Sequence, residues 1–160
     1  MTGELFVPAD FAVPDGLVAD KGVRLAPLGP KHNEADYAAW TDSIDHIRAT
    51  PGFIGRSWPH PMSLEDNLRD LEQHAQDFAE RRGFTYTVLG ANSDEVIGCV
   101  YIYPLKSQEP GGGTEGVQGA TVRSWVRADR AQLDRVVCDA VLAWLERDWP
   151  FHSIEYAPRA

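Results

Sequence analysis

Between residues 119 and 156 the hydrophobic period of the chain switches from two to about 3.6, so this stretch must leave a strand, run as a helix and return to a sheet. Val122, Ser124 and Val126 alternate with Thr121, Arg123, Trp125 and Arg127, which gives the first segment an apolar edge and a mixed one. Leu133, Val136, Val137, Ala140, Val141, Trp144 and Leu145 then fall on the single stripe of a helix laid on a sheet. Asp129 and Gln132 have the spacing of a capping box, which predicts a helix start just after the strand. Trp149-Pro150 stops the helix, and residues 152–157 supply a short strand that returns parallel to the first through a right-handed crossover.

The start of that helix is where chemistry can enter. Its first amides have no partner within the helix, and with the helix dipole they favour a phosphate. Arg127, Arg130 and Arg135 gather at this end of a chain whose net charge is −9. Most strand-to-helix turns bind nothing, and arginines near one are usually solvated surface.

That acidic balance, with a pI near 4.9, argues against a nucleic-acid or anionic-membrane surface, since both need clustered Lys and Arg. It suits a cationic amine. At 160 residues, 43% hydrophobic and 24% charged, the composition is that of one globular domain. No apolar run has the length of a membrane span, and the N-terminus lacks the pattern of a signal peptide, so a cytoplasmic protein is expected. Cys99 and Cys138 read as buried thiols, and no metal site is expected.

Residues 1–21 form an expected extended arm, packing through Leu5, Phe6, Phe11 and Leu17. Residues 22–28 alternate as a strand, with Pro27 marking an end or an edge. Tyr37, Trp40, Ile44 and Ile47 share a helical face and predict one helix over 33–49, stopped by Thr50-Pro51-Gly52. Residues 51–62, rich in Pro, Gly and aromatics, are a loop of the kind that lines pockets, with Phe53, Trp58 and His60 as its notable side chains. Ser63 and Asp66 cap a second helix, marked by Leu64, Leu68, Leu71, Ala75 and Phe78 and closed at Gly83; His74 on it is read as a surface residue. Residues 84–89 and 96–103 form a hairpin around a polar turn, Gly98 suggesting a bulge or a close backbone approach. Tyr101 and Tyr103 share a face with Ile97 and Cys99. Residues 104–119, with Gly111-Gly112-Gly113-Thr114, lack the Gly-Lys-Ser/Thr ending of a nucleotide loop and read as a flexible connection.

The segment from Val126 to Arg135, set between a strand and a long amphipathic helix, resembles the acetyl-CoA-binding segment of the Gcn5-related N-acetyltransferases. The element order of strand, helix, helix, three strands, helix and strand is similar to that family through its fifth strand, over about residues 23–156. The resemblance implies an α+β fold with a mixed sheet, residues 1–160 forming a single domain. It also implies a site in which Val126, Arg127, Arg130, Ala131, Gln132, Leu133, Asp134 and Arg135 hold acetyl-CoA. Arg130 stands at the leading position of the family's Arg/Gln-x-x-Gly-x-Gly/Ala loop, while Leu133 and Arg135 stand where its glycines belong. Members usually continue with a further helix and two strands, so the sequence reads as a short form, truncated after the fifth strand, whose sheet edge stays open, is covered by the N-terminal arm, or is covered by a partner chain, as in a homodimer.

Acyl transfer needs a cradle for the donor, a route for the amine's proton and a proton for the leaving thiol. Where the family often has a glutamate, this chain has Ala120 and Thr121, which leaves Glu155 and Glu115 as substitute bases and Tyr156, Tyr101 or Tyr103 as acids. Glu155 and Tyr156 are the candidate catalytic pair; Phe53, Trp58, Tyr101 and Arg123 are the candidate acceptor contacts. Two readings follow: an N-acyltransferase acting on a small-molecule amine, or a domain of the same build that has lost turnover and serves binding or assembly.

Overall fold

A computed structural model describes residues 6–19, 22–105 and 119–159. Leu5, the glycine-rich segment and Glu115 lie outside them. Among the described residues six strands form one sheet in chain order: β1 (Leu17–Val18), β2 (Val23–Pro27), β3 (Phe84–Gly90), β4 (Val96–Pro104), β5 (Ala120–Val126) and β6 (Ile154–Tyr156). All neighbours run antiparallel except β5 and β6, which are parallel as the strand–helix–strand pattern requires. Among the described residues there are four α-helices: α1 (Asn33–Thr41), α2 (Ile44–Arg48), α3 (Leu64–Ala79) and α4 (Asp134–Asp148).

Alternation along the strands builds two cores. On one face Phe84, Tyr86, Val100, Ile102, Val122 and Val126 pack against Val137, Val141, Trp144 and Leu145 of α4 and against Phe6 and Val7 of the arm. On the other, Cys99, Trp125 and Leu89 meet Trp40 and Ile47, with Phe53 and Leu71 beside them. Among the described residues no helix is long and apolar enough to cross a membrane.

Several elements depart from expectation. The helix predicted over 33–49 is two, broken at Asp42–Ser43, because the buried Ser43 turns its hydroxyl away to accept the Ala128 amide at 2.9 Å. The arm carries β1, whose two residues pair with Leu25 and Arg24. α3 begins as expected, Ser63 Oγ accepting the Asp66 amide at 3.0 Å, but ends at Ala79 with Arg81 in the left-handed region at φ 62°. Gly83 serves instead to let the Tyr103 ring lie on its Cα, where a Cβ would overlap it. α4 starts at Asp134, after a 3₁₀ turn over Ala128–Leu133, since the Asp129 carboxylate is held by Arg127 rather than by a cap amide. At Gly98 the bulge is present: Val88 pairs with Gly98 and Leu89 with Val96, which leaves Ile97 unpaired and moves it to the α4 face, away from Tyr101 and Tyr103. A Cβ at Gly98 would overlap the Trp125 carbonyl.

Candidate functional site

On the face covered by α1 and α3, a hollow of about 260 Å³ opens between those helices, the loop carrying Phe53 to Trp58, and the strand floor. Tyr101 on β4 and Arg123 on β5 are cross-strand partners and form that floor. Trp58 closes one side, its ring 5.9 Å from Phe53, 6.4 Å from Tyr101 and 5.4 Å from Trp40. Tyr101 is fixed from beneath, accepting the Trp125 indole N–H at 2.9 Å. All four expected acceptor contacts, Phe53, Trp58, Tyr101 and Arg123, therefore line one hollow. His60 does not: it is exposed and its Nδ1 lies 3.0 Å from the Ser57 carbonyl.

The wall toward α3 carries what periodicity concealed. His74, read as surface, is half-buried in this hollow, its ring 5.6 Å from that of Tyr101. Its Nδ1 lies 2.9 Å from the Tyr103 hydroxyl, which donates to Asp77 at 2.9 Å. Asp77 is held below its ordinary range, its hydrogen bonds from Arg82, Gln73 and Tyr103 outweighing desolvation, so it accepts. The Thr85 hydroxyl also lies 3.2 Å from Nδ1, so this nitrogen is shared between two hydroxyls; with the Tyr103 hydrogen committed to Asp77, the shorter contact is met by an N–H on Nδ1, which leaves the lone pair on Nε2. Burial lowers the His74 pKa below 6.5, against the pull of Asp70 and Asp77, so the ring is neutral at pH 7.

Asp36 of α1 is 4% exposed and also lines the hollow. Asn67 donates to it at 3.2 Å, itself fixed by Trp40 Nε1 at 3.0 Å. Desolvation, offset in part by Asn67 and reinforced by Asp70, lifts its carboxyl to about 6. Arg56 and Arg123 line the same hollow. Burial and the nearby Arg56 charge hold the Arg123 guanidinium below its usual range, and its Nε donates to the Gly52 carbonyl at 3.1 Å. Among the described residues neither arginine has a carboxylate partner.

Arg123 also borders a second hollow, about 480 Å³, along the β5–β6 pair, with Gly52, Thr121, Glu155, Tyr156 and Pro158 around it. β5 and β6 pair only from Ala120 to Val122 and then part. The opening between them is bridged rather than empty. Tyr156 places its hydroxyl 2.6 Å from Ser124 Oγ, and Arg159 donates to the Ser124 carbonyl at 2.8 Å and to Asp134 at 2.7 Å. Leu133 is turned to the α4 core and Arg135 pairs with Asp139 at 3.5 Å, so neither obstructs it. Glu155 is exposed in the hollow, while burial raises the Tyr156 pKa, so that phenol is protonated.

At the turn before α4, Arg127 and Arg130 converge on one atom, Glu95 Oε2, at 2.8 and 2.7 Å. A carboxylate thus occupies the position in which these two guanidiniums can hold an anion. Val126 is buried beside them, Ala131 and Gln132 are exposed on the turn, and Asp134 is neutralised by Arg159. Among the described residues no group of three or more His, Cys, Asp or Glu has a metal-site arrangement.

No family model and no curated protein matches the chain. Solved structures do. The chain is similar to an acetyl transferase from Salmonella typhimurium that modifies the N-terminal serine of ribosomal protein L7/L12, with 12% identity over 85% of this chain and 70% of that one and a TM-score of 0.62. It is similar to RimJ of Mycobacterium smegmatis in complex with CoA-disulfide, with 14% identity, 89% and 67% coverage and a TM-score of 0.65. It is similar also to the microcin C7 self-immunity acetyltransferase MccE in complex with acetyl-CoA and AMP, with 15% identity, 84% and 66% coverage and a TM-score of 0.58. The fold is that of the Gcn5-related N-acetyltransferases, and identities this low speak to the fold alone.

Proposed function

We propose that this chain is an N-acyltransferase that moves the acetyl group of acetyl-CoA to a small-molecule amine. The observation that carries this reading is the position of Arg123, the shared wall of an aromatic hollow and of the hollow along β5–β6. Two reactants can approach one strand from these two hollows, which is the geometry a bimolecular transfer needs. The acetyl-CoA and CoA-disulfide in two of the similar structures support the choice of donor.

Bound acetyl-CoA supplies an activated acyl group; the rest falls to the chain. Arg127 and Arg130 exchange Glu95 for the donor's phosphates, Glu95 being a stand-in anion, with Val126 and the turn from Ala131 to Arg135 alongside. The amine lies in the aromatic hollow, and His74 Nε2, uncommitted and neutral at pH 7, takes its proton. Tyr156, whose phenol stays protonated beside Ser124 on the β5–β6 side, is the candidate to return one. Glu155 is the less favoured base because it is exposed and has no group to position it.

The test is thermal unfolding with and without acetyl-CoA, on the wild type and on Arg130→Ala. Ligand at 100 times its dissociation constant adds about 2.7 kcal/mol, which raises the midpoint of a domain this size by roughly 5–10 °C. A shift that Arg130→Ala reduces is expected. No shift at millimolar acetyl-CoA overturns the donor assignment. One observation favours the second reading, a binding or assembly domain without turnover: Arg159 already occupies the Ser124 carbonyl where the strands part. A second copy pairing on the open edge of β6 would serve such a role, and sedimentation reads it.

A further inference from the structure

The aromatic hollow is charged in an ordered way. On its α1 and α3 side stand two carboxylates, Asp36 and Asp70, without a cationic partner among the described residues. Asp36 is the informative one. It is buried, it receives one neutral N–H from Asn67, and its neighbour Asp70 repels it. A buried carboxylate left in this state destabilises the fold, and a cation arriving from outside is what would relieve it. The rings of Trp58 and Tyr101 line the path to it with faces that favour a cation.

The same hollow is lined by Arg56 and Arg123, close enough that one charge disfavours the other. In a chain with 24 acidic residues to 15 basic ones, two adjacent arginines without a carboxylate are not a default surface arrangement. Arg69, Arg82, Arg127, Arg130 and Arg147 each meet a carboxylate close to them in sequence or space. The Arg56–Arg123 pair is left for an anion that the ligand brings.

We infer that the acceptor is a free amino acid carrying a second, distal cation, its α-carboxylate on Arg56 and Arg123 and its side-chain cation at Asp36 and Asp70. Connectivity orders the groups. An α-amine is one carbon from its carboxylate, so a carboxylate on Arg123 brings the amine over Tyr101, the cross-strand partner of Arg123, and beside His74. The side chain then runs between Trp58 and α3 toward Asp36. A protein N-terminus has an amide in place of the α-carboxylate and leaves both arginines unmet. A simple diamine leaves them unmet as well. The inference rests on the acyl-transfer reading for the fate of the amine, and on the hollow alone for binding.

Calorimetric titration of the protein without acetyl-CoA separates the two. The probes are L-lysine and L-arginine, with norleucine lacking the distal cation, cadaverine lacking the carboxylate, and a short peptide with a free N-terminal serine. Lysine or arginine is expected to bind, with a loss of about tenfold or more for norleucine and for cadaverine. Asp36→Asn, which keeps the Asn67 contact, should abolish the preference over norleucine, and Arg56→Ala, at an exposed position, the preference over cadaverine. Equal binding of norleucine or cadaverine, tighter binding of the peptide, or no binding of either basic amino acid at 10 mM, about the weakest affinity worth a site, overturns the inference. Lysine binding without any acetyl-CoA binding keeps the inference and removes the enzyme reading. Acetyl-CoA binding without lysine binding does the reverse.

Discussion

Replacing Asp36 by Asn should stabilise the protein at pH 7 and leave its stability at pH 4 unchanged. The Asn67 Nδ2 donor, 3.2 Å away, can bond an amide oxygen as it bonds the carboxylate, so the substitution removes a charge with little change of shape. The groups around Asp36 offer little compensation: Asp70 repels it, His74 is neutral, Arg56 and Arg123 line the same hollow without an ion pair to it among the described residues, and Cys99 and Tyr101 on β4 have their own pKa values raised, chiefly by burial and also by Asp36. The unfolded chain releases this proton near 3.8 and the folded chain near about 6. Between those values the folded state holds a proton that the unfolded state has lost, so stability falls as pH rises, and the loss is complete above about 6. The interval at ~1.36 kcal/mol per pH unit comes to about 3 kcal/mol. Urea unfolding of both proteins from pH 4 to 7 isolates the effect, because the two proteins differ by this one carboxyl group. The variant should gain about 3 kcal/mol on the wild type across that window. A pH-independent difference, or one below about 1 kcal/mol at pH 7, would refute the claim that an uncompensated charge sits there.

Two further outcomes bear on the site. Arg159→Ala removes a guanidinium whose side chain is 6% exposed, leaving Asp134 and the Ser124 carbonyl without their donor; a loss of about 2–4 kcal/mol in urea unfolding is expected, and Arg159→Lys should restore less than half because it cannot span both Asp134 oxygens. His74→Gln should lower kcat by about 10²-fold or more with little change in KM. It should also abolish an acid limb that in the wild type falls below pH 6.5, the direction in which burial moves this ring; an unchanged limb would remove His74 from the proton route.

The sheet was legible because its instructions are local. The alternation of residues 121–126, the stripe on α4 and the Ser63 cap each lie within a few residues, and each appears where it was expected. The failures have one physical kind. Asp129-x-x-Gln132 spells a cap, yet Arg127 takes the carboxylate first, and Glu95, far away in sequence, completes the cluster with Arg130. The run 33–49 has one continuous face, yet Ser43 is drawn off to an amide 85 residues later. In both places a polar side chain had two possible partners, and the winner came from another element.

The same competition decides what the hollow can do. Phe53, Trp58, Tyr101 and Arg123 were readable as a group, because aromatic loops and strand faces announce themselves by composition. His74 and Asp36 were not, since on their helices they are single polar residues at positions that look solvated, and their partners come from other elements, Tyr103 of β4 for His74 and Asn67 of α3 for Asp36. Among the described residues those two bring to this face an imidazole nitrogen without a hydrogen-bond partner and a carboxylate without a cation. A fold that only had to be stable would gain by replacing Asp36, and the roughly 3 kcal/mol at issue is a large share of the 5–15 kcal/mol that holds a domain together. A site that must receive a cation has a reason to keep it. Charge left unpaired in a cavity, more than the motif at the helix start, is therefore the part of this structure that speaks to function.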